Sequence, residues 1–561
     1  MNVLDGLDDQ QRAVATSLDA PVCVLAGAGT GKTRSITHRI AYGVHEGAYL
    51  PEQVLALTFT SKAAAEMAHR LRDLGVSGVA ARTFHSAALR QLQHFWPTVT
   101  GGRLPDIVAT KAPLIAKALE SLRIDVNSAV LRDLAGDIEW RKVHGYTMAE
   151  YLQFRPERGG TLPGLLSVEV MADIHERYEQ VKDEQNRIDF EDVLLATQGM
   201  LETEKRVIDQ VRAQYSVFVV DEYQDVSPLQ QRLLETWVGP REDLVVVGDV
   251  SQTIYSFAGA SSSYLLDFPQ RFPNAHIIKL ETNYRSGEHI VRAANHVMAG
   301  RPGALNLVPH QQEGTPLERH AATDDAAEAR YVAQTAKTLI DSGVAPDDIA
   351  LLMRFGAQSL ALENALREHN VSHRVQGATA FFDEPHVKRA VMEIRGAAVA
   401  GVSGELVRVV DDILFGLGLG SVEPDHGGAE RSRYEDLIAL RELALDVAQG
   451  MTLVEFSDML QRRLETGDSP SVGAITLSTV HAAKGQEWPV VFMVGLAEGQ
   501  FPISYAKTDE AVEEERRLFY VGITRAREKL YLSFAQKGRD AHAPREPSRF
   551  LRALSDASGT L

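Results

Sequence analysis

Cysteine is nearly absent: Cys23 is the only one among 561 residues. A lone thiol excludes any intrachain disulfide and any thiolate metal cluster, and it suits a reducing cytoplasm. Long apolar runs are missing too, and none approaches the ~20 residues of a membrane-spanning helix. The opening stretch "MNVLDGLDDQ" has neither a basic start nor an apolar core, so no export signal is expected. Positive charge is scarce, with 58 Lys+Arg against 76 Asp+Glu and a formal net charge of −18. That balance excludes a uniformly basic nucleic-acid coat, though not a local basic groove. What remains is an ordinary soluble composition, 44% hydrophobic, 24% charged and 7% aromatic, in a chain long enough for several domains.

Short β-branched runs alternate with helical stretches. "VCVLA" reads as a buried strand and "KTRSITHRIAYGV" as the helix after it, with Ile36, Ile40 and Val44 at helical spacing. "QVLALTFTS", "VFVVDEYQD" and "LVVVGD" repeat the theme. The pattern predicts an α/β fold, a parallel sheet with crossover helices. From Gly101 to about Asp189 the chain reads as a helical insertion, with "FRPERGGTLPG" as an exposed connection. A second α/β series is expected to begin near "HIIKLETNYRS", to continue through "DDIALLMRF" and to resume at "AITLSTVHAAKGQEWPVVFMVGL". Residues 390–470 interrupt it with helical text and the polar, glycine-rich "GLGLGSVEPDHGGAERS".

The stretch "AGAGTGKT" follows the first strand and opens a helix, the setting of a phosphate-binding loop. The strict pattern begins with glycine; here Ala26 stands first, followed by Gly27, Ala28, Gly29, Thr30, Gly31, Lys32 and Thr33, with Arg34 just beyond. Small residues let backbone N–H groups turn toward phosphate oxygens, and the helix directs its positive end at them. Lys32 would reach the β- and γ-phosphates, and the Thr33 hydroxyl would hold Mg²⁺. The apolar strand "VFVV" ends in two acids, placing Asp221 toward the metal and Glu222 toward an attacking water. Gln252, Arg285 and Arg525 are candidates for sensing or stabilising the γ-phosphate. An arginine offsets charge spread over the transferring phosphoryl group. The loop indicates a nucleotide without stating a purpose.

Ten ordered motifs state one: "LDDQQRAVA", "AGAGTGKT", "LTFTSKAAAEM", "RTFHS", "DFEDVLL", "VVDEYQDV", "VGDVSQTIYSFAGA", "LETNYRS", "STVHAAKGQEWPVVF" and "EEERRLFYVGITRAREKL". Over nearly its whole length the chain resembles a UvrD/Rep/PcrA-type superfamily 1 DNA helicase, most of all the actinobacterial second UvrD-like branch, without that branch's C-terminal accessory module. The resemblance implies two RecA-like parallel-sheet domains (a P-loop NTPase) with ATP between them. The first, 1–108 with 191–279, binds ATP and carries a mainly helical insertion at 109–190; the second, 280–389 with 471–557, carries a reduced one at 390–470. It further implies a bacterial, cytoplasmic, nucleoid-associated enzyme that uses ATP and Mg²⁺ to move 3′→5′ on single-stranded DNA and at single/double-strand junctions. It would work in repair or replication as a monomer, with dimerisation on DNA and repair-protein partners left open. Gln11 resembles the glutamine that reads the adenine edge, Tyr284 the tyrosine that stacks on that base, and Gly485 and Glu487 a segment contacting the nucleotide.

Single-strand binding without sequence preference combines backbone contacts with aromatic platforms. Phe59, Phe190, Tyr255 and Phe257 match aromatic positions of the family's DNA channel. Thr58, Thr60, Lys62, His85, Ser86, Arg354 and His481 are candidate phosphate or sugar partners, although His481 reads equally well as a core histidine bracing its loop. Three features depart from the family. "SFAGA" puts Phe257 and Ala258 where a tryptophan and an arginine are usual, the second insertion is short, and "SFAQKGRDAHAPRE" lacks the aromatic tip of a strand-splitting hairpin. All three bear on strand separation, not on ATP hydrolysis. They predict a DNA-stimulated ATPase and translocase whose monomer unwinds poorly. Alternatives are a translocase that strips proteins from DNA, a non-hydrolysing repair scaffold, and a small-molecule phosphotransferase. The intact Lys32, Glu222, Gln252, Arg285 and Arg525 argue against the scaffold, and the aromatic track argues against the phosphotransferase.

Overall fold

A computed structural model of the chain describes residues 3–158, 162–311, 313–376, 381–419, 429–447, 451–465, 473–538 and 544–556. Parts of "FRPERGGTLPG", "GLGLGSVEPDHGGAERS" and "SFAQKGRDAHAPRE" lie outside the described residues. Two compact units emerge, Met1–Arg285 with Gly300–His310, and Ser286–Ala299 with Gln311–Leu561.

The first unit is built on strands β1 (Val22–Ala26), β2 (Val54–Thr58), β3 (Ala80–Thr83), β4 (Asp106–Ile107), β5 (Arg187–Ile188), β6 (Val217–Val220), β7 (Leu244–Gly248) and β8 (His276–Leu280). Six of them form one parallel sheet in the order β3-β2-β6-β7-β1-β8. Its central strands are the Val/Leu runs of the sequence, and β2, β6 and β7 are buried at every position. Continuous apolar runs are what a sheet covered on both faces requires. The helices that bear on function are α1 (Asp9–Thr16), α2 (Lys32–His45), α3 (Ser61–Asp73), α4 (Phe84–Thr100), α5 (Ala112–Leu122), α6 (Ser128–His144), α7 (Met148–Phe154), α8 (Val168–Glu184) and α9 (Phe190–Thr203). On one side of the sheet, Trp237 is fully buried and donates Nε1–H to Gln91 at 3.0 Å. An aromatic side chain removed from water this way contributes about 3 kcal/mol, and its one polar atom is satisfied.

The expected start of the second series needs correction. "HIIKL" is β8, and it pairs with β1 from Val22↔His276 to Ala26↔Leu280, closing the first sheet. Sequence identifies a strand but not its neighbour, because parallel strands are joined by crossovers of any length. Two short strands follow, β9 (Thr282–Asn283) and β10 (Val308–Pro309), paired with each other and both within the first unit.

The second sheet uses β11 (Glu318–Ala322), β12 (Ile349–Met353), β13 (His373–Gln376), β14 (Ile475–Thr479), β15 (Trp488–Met493) and β16 (Ala526–Ala535), all parallel, in the order β11-β16-β15-β12-β14-β13. Each insertion is helical, as the sequence predicts, and each has its own core. Ile115, Leu134, Tyr151 and Tyr178 centre the first, with the two-stranded β4–β5 pair at its base. Val387, Val410, Leu440 and Phe456 centre the second, drawn from helices Pro385–Val399, Leu406–Gly416, Ala429–Val447 and Leu453–Glu465. Among the described residues no helix is long and apolar enough to cross a membrane.

Candidate nucleotide site and nucleic-acid track

The loop between β1 and α2 depends on the smallness of its residues. Gly29 and Gly31 have φ of +71° and +82°, conformations that L side chains rarely adopt. A Cβ at Gly27 would lie 2.2 Å from Leu307, at Gly29 2.7 Å from Arg285, and at Gly31 2.7 Å from Gln11. Gly31 caps α2 without a side-chain acceptor, which leaves the first helical N–H groups for an anion. Opposite them, the Thr33 hydroxyl donates to Asp221 Oδ2 at 3.0 Å, and Lys32 Nζ stands 3.9 Å from Glu222 Oε1. Burial, with Glu222 beside it, pushes Asp221 up to about 7. A buried carboxylate, a hydroxyl and a lysine at a helix N-terminus suit a magnesium-bound triphosphate in hardness and charge.

Glu222 holds a left-handed backbone at φ +52°. For a residue with a Cβ this costs about 1–2 kcal/mol, and it turns the carboxylate from the end of β6 toward the loop. Behind it runs a buried relay. Gln224 donates Nε2–H to Glu222 Oε2 and accepts Asp249 N–H at 3.0 Å, while Gln252 donates to Asp249 Oδ2 at 2.7 Å. Gln224 and Asp249 were not singled out from sequence, although "DEYQD" and "VGDVSQ" contain them.

The base side of the site is organised by the segment "ETNYRS". Asn283 donates to Ala28 O at 2.7 Å and accepts Arg285 N–H at 3.0 Å; Tyr284 N–H donates to Gly29 O at 2.9 Å. The Tyr284 hydroxyl bonds Asp8, and its ring packs 4.7 Å from His310. Gln11 is buried at the first turn of α1, in a reciprocal cap with Asp8, and donates Nε2–H to Thr30 O at 3.0 Å. Lys32, Thr33, Asp221, Glu222, Gln11, Tyr284 and Arg285 thus surround one loop. Arg285, expected on the second domain, ends the main segment of the first unit. Asn283, Asp8, Leu307 and His310 are additions only the structure reveals, since nothing in their spacing marks them.

An aromatic row, exposed at Phe59 and Phe257, leads away from Gln252. Phe59 and Tyr255 stack at 5.5 Å, Phe257 meets Tyr255 at 6.0 Å, and Phe59 and Phe257 are 47% and 59% exposed. Tyr255 between them is half-buried, so two exposed apolar rings flank a partly covered one, an arrangement open to a stacking partner. Phe190 stacks on His85 at 3.9 Å, and burial pushes His85 down to about 4, so its ring is neutral. Thr60 caps α3, Lys62 beside it is exposed, Thr58 bonds Thr60 O, and Ser86 completes the cap of α4.

The remaining candidates lie in the second unit. Gly485, at φ +82°, and Glu487 are exposed on the loop before β15. Arg525 is buried, donating to the carbonyls of Val521 and Gln486 at 2.9 and 3.0 Å, which ties that loop to β16. Arg354 grips Glu515 with Nε at 2.9 Å and Nη2 at 2.7 Å. Next to it, burial pushes His481 down to about 3, an uncharged ring.

A glycine-rich loop at a helix N-terminus, hydrogen-bonded through Glu222, Gln224, Asp249 and Gln252 toward stacked aromatics and followed by a second all-parallel sheet, has the form of a nucleotide-driven enzyme that acts on a polymer. The family models narrow this: the UvrD/REP helicase N-terminal domain matches residues 7–273, and the UvrD-like helicase C-terminal domain matches 278–423 and 434–537. The chain belongs to the UvrD/REP helicase family. It is 42% identical to the ATP-dependent DNA helicase UvrD2 of Mycobacterium tuberculosis (strain ATCC 25618 / H37Rv), over 99% of this chain and 82% of the relative. The ATP-dependent DNA helicase PcrA of Bacillus subtilis (strain 168) is 29% identical over 99% and 86%, and DNA helicase II of Escherichia coli (strain K12) 28% over 99% and 88%.

Proposed function

We propose that this helicase hydrolyses ATP to move 3′→5′ along single-stranded DNA and to open single/double-strand junctions in repair or replication. The observation that carries the reading is the relay Glu222–Gln224–Asp249–Gln252, which joins the phosphate loop to the segment bearing Tyr255 and Phe257. Lys32 and the free N–H groups of α2 bind the β- and γ-phosphates, and Tyr284 and Gln11 hold the base. Thr33 and Asp221, 3.0 Å apart, would hold Mg²⁺, and the ion would supply charge neutralisation on the phosphates. Glu222, its carboxylate 30% exposed, orients the attacking water and takes its proton. Arg285 is assigned to the charge that develops on the transferring phosphoryl group, whereas Arg525 holds the loop before β15 through its bonds to Val521 and Gln486. Bases stack on Phe59, Tyr255, Phe257 and Phe190, so affinity is tolerant of sequence.

ATPase, translocation and unwinding measured side by side on 3′- and 5′-tailed substrates test this. Strong stimulation by single-stranded DNA and opening from 3′ tails are expected. A rate indifferent to DNA, or opening from 5′ tails alone, defeats it. A second reading, translocation with little unwinding by the monomer, is favoured by the short second insertion, four helices among its described residues, and by Ala258 beside Phe257. Robust strand displacement by isolated monomer counts against that version.

A further inference from the structure

Phe190 is the first residue of α9, and the two carboxylates that flank it are tied to the helical insertion. Asp189 caps the helix by accepting Asp192 N–H at 3.0 Å, and Asp192 accepts Asp189 N–H at 2.9 Å in return. Two lysines from the insertion close on this pair. Lys142 of α6 reaches Asp189 Oδ2 and Asp192 Oδ1, both at 2.6 Å; Lys182 of α8 reaches Asp189 Oδ2 at 3.3 Å and also bonds Asp192 Oδ2. Tyr178 donates to Asp189 at 2.9 Å. Glu179 completes the set, accepting from Lys182 at 2.6 Å, Arg141 at 2.7 Å and Lys142 at 3.1 Å. Three cations thus face three carboxylates.

Lys142 and Lys182 are 2% and 3% exposed, so neither can swing out to a phosphate. The cations hold Asp189 far below the usual carboxylate range despite its burial. A buried cluster of this kind fixes geometry, because any displacement leaves a charge without its partner in a poorly solvating interior. What it fixes is the start of α9, and with it a phenyl ring 53% exposed, lying 16° from parallel to His85 beneath it.

We infer that Lys142 and Lys182 are positioning residues for single-strand binding: they lock Asp189 and Asp192 on either side of Phe190 and so present its ring, backed by His85, to a nucleobase. The inference rests on the reading that this surface binds single-stranded DNA. It makes the first insertion a brace for the aromatic track, through contacts that never meet the nucleic acid.

A double-mutant cycle tests it, read by anisotropy of a labelled oligothymidine. Phe190→Ala removes one stacking platform and is expected to weaken binding about tenfold. Lys182→Met, similar in length but uncharged, is expected to cost nearly as much, while the double variant binds no worse than Phe190→Ala alone. The slope of log Kd against log salt is expected to stay at the wild-type value in Lys182→Met, because no phosphate contact is lost. Asp192→Asn, close to isosteric, is carried through the same cycle with the same non-additivity expected. Additive losses in the cycles, or a shallower salt slope in Lys182→Met, overturn the inference. If wild-type protein fails to bind the oligonucleotide, the proposed function falls instead.

Discussion

Lys32 stands between two tasks, paired with Glu222 at 3.9 Å and aimed at the place of the phosphates. Lys32→Ala is expected to abolish ATP turnover while DNA affinity stays within about twofold, as read by ATPase and anisotropy assays on one preparation; joint loss would indicate misfolding. A quieter residue, Glu328, is fully buried at the start of helix Asp325–Asp341, accepting from Gly495 N–H at 2.9 Å and from the Ser533 hydroxyl at 2.5 Å. Burial pushes its carboxyl up to about 7. A carboxyl whose pKa is raised in the folded state favours folding only while protonated. Its contribution is therefore present at low pH and lost as pH rises from the unfolded value toward 7. Glu328→Gln imitates the protonated acid. It is expected to raise the melting temperature at pH 8, by up to about 3 kcal/mol of stability, and to change little at pH 5. An equal effect at both values refutes this. The positions of Lys32 and Thr33 at the start of α2, and of Asp221 and Glu222 just past the end of β6, were legible in the sequence because the motif spacing is fixed. Glu328 was not, since an acid near a helix start normally faces solvent.

Among the elements, the apolar strands could be read directly, the edge strand β8 included, whereas strands with polar or charged stretches and the pairings could not. "AART" and "ERHAA" are too polar and too short to stand out, and β16 begins with the charged "AREK". The turn after β7 shows why motif spacing alone was insufficient. Gly248 ends that strand, and a Cβ there would fall 2.4 Å from Gln224 Oε1 and 3.1 Å from Leu265. The glycine is demanded by a side chain 24 positions earlier, which no local pattern reveals. Gly248→Ala is expected to destabilise the first unit by about 1–3 kcal/mol through overpacking. Because it displaces Gln224, it is also expected to reduce DNA stimulation of the ATPase more than the basal rate. Unaltered stimulation would show that the relay through Gln224 carries no signal.

At the scale of the whole molecule, a net charge of −18 makes attraction to DNA a local affair. Affinity is expected to fall steeply with salt, leaving a residual, salt-insensitive part from the aromatic row. Titration from 50 to 500 mM salt separates the two, and a flat response would place the binding energy elsewhere. The two-sheet architecture was legible because ten motifs arrive in order. The division between units was not, since the chain leaves the first unit at Arg285 and returns for Gly300–His310. That return supplies Leu307 beneath Gly27, His310 beside Tyr284 and the β10 partner of β9. Of the first unit, translation delivers these residues last. A nascent chain halted at Arg285 would carry every nucleotide-binding motif of the first unit, yet its loop would lack a floor, so ATP affinity should be acquired late in synthesis rather than as soon as the P-loop emerges from the ribosome.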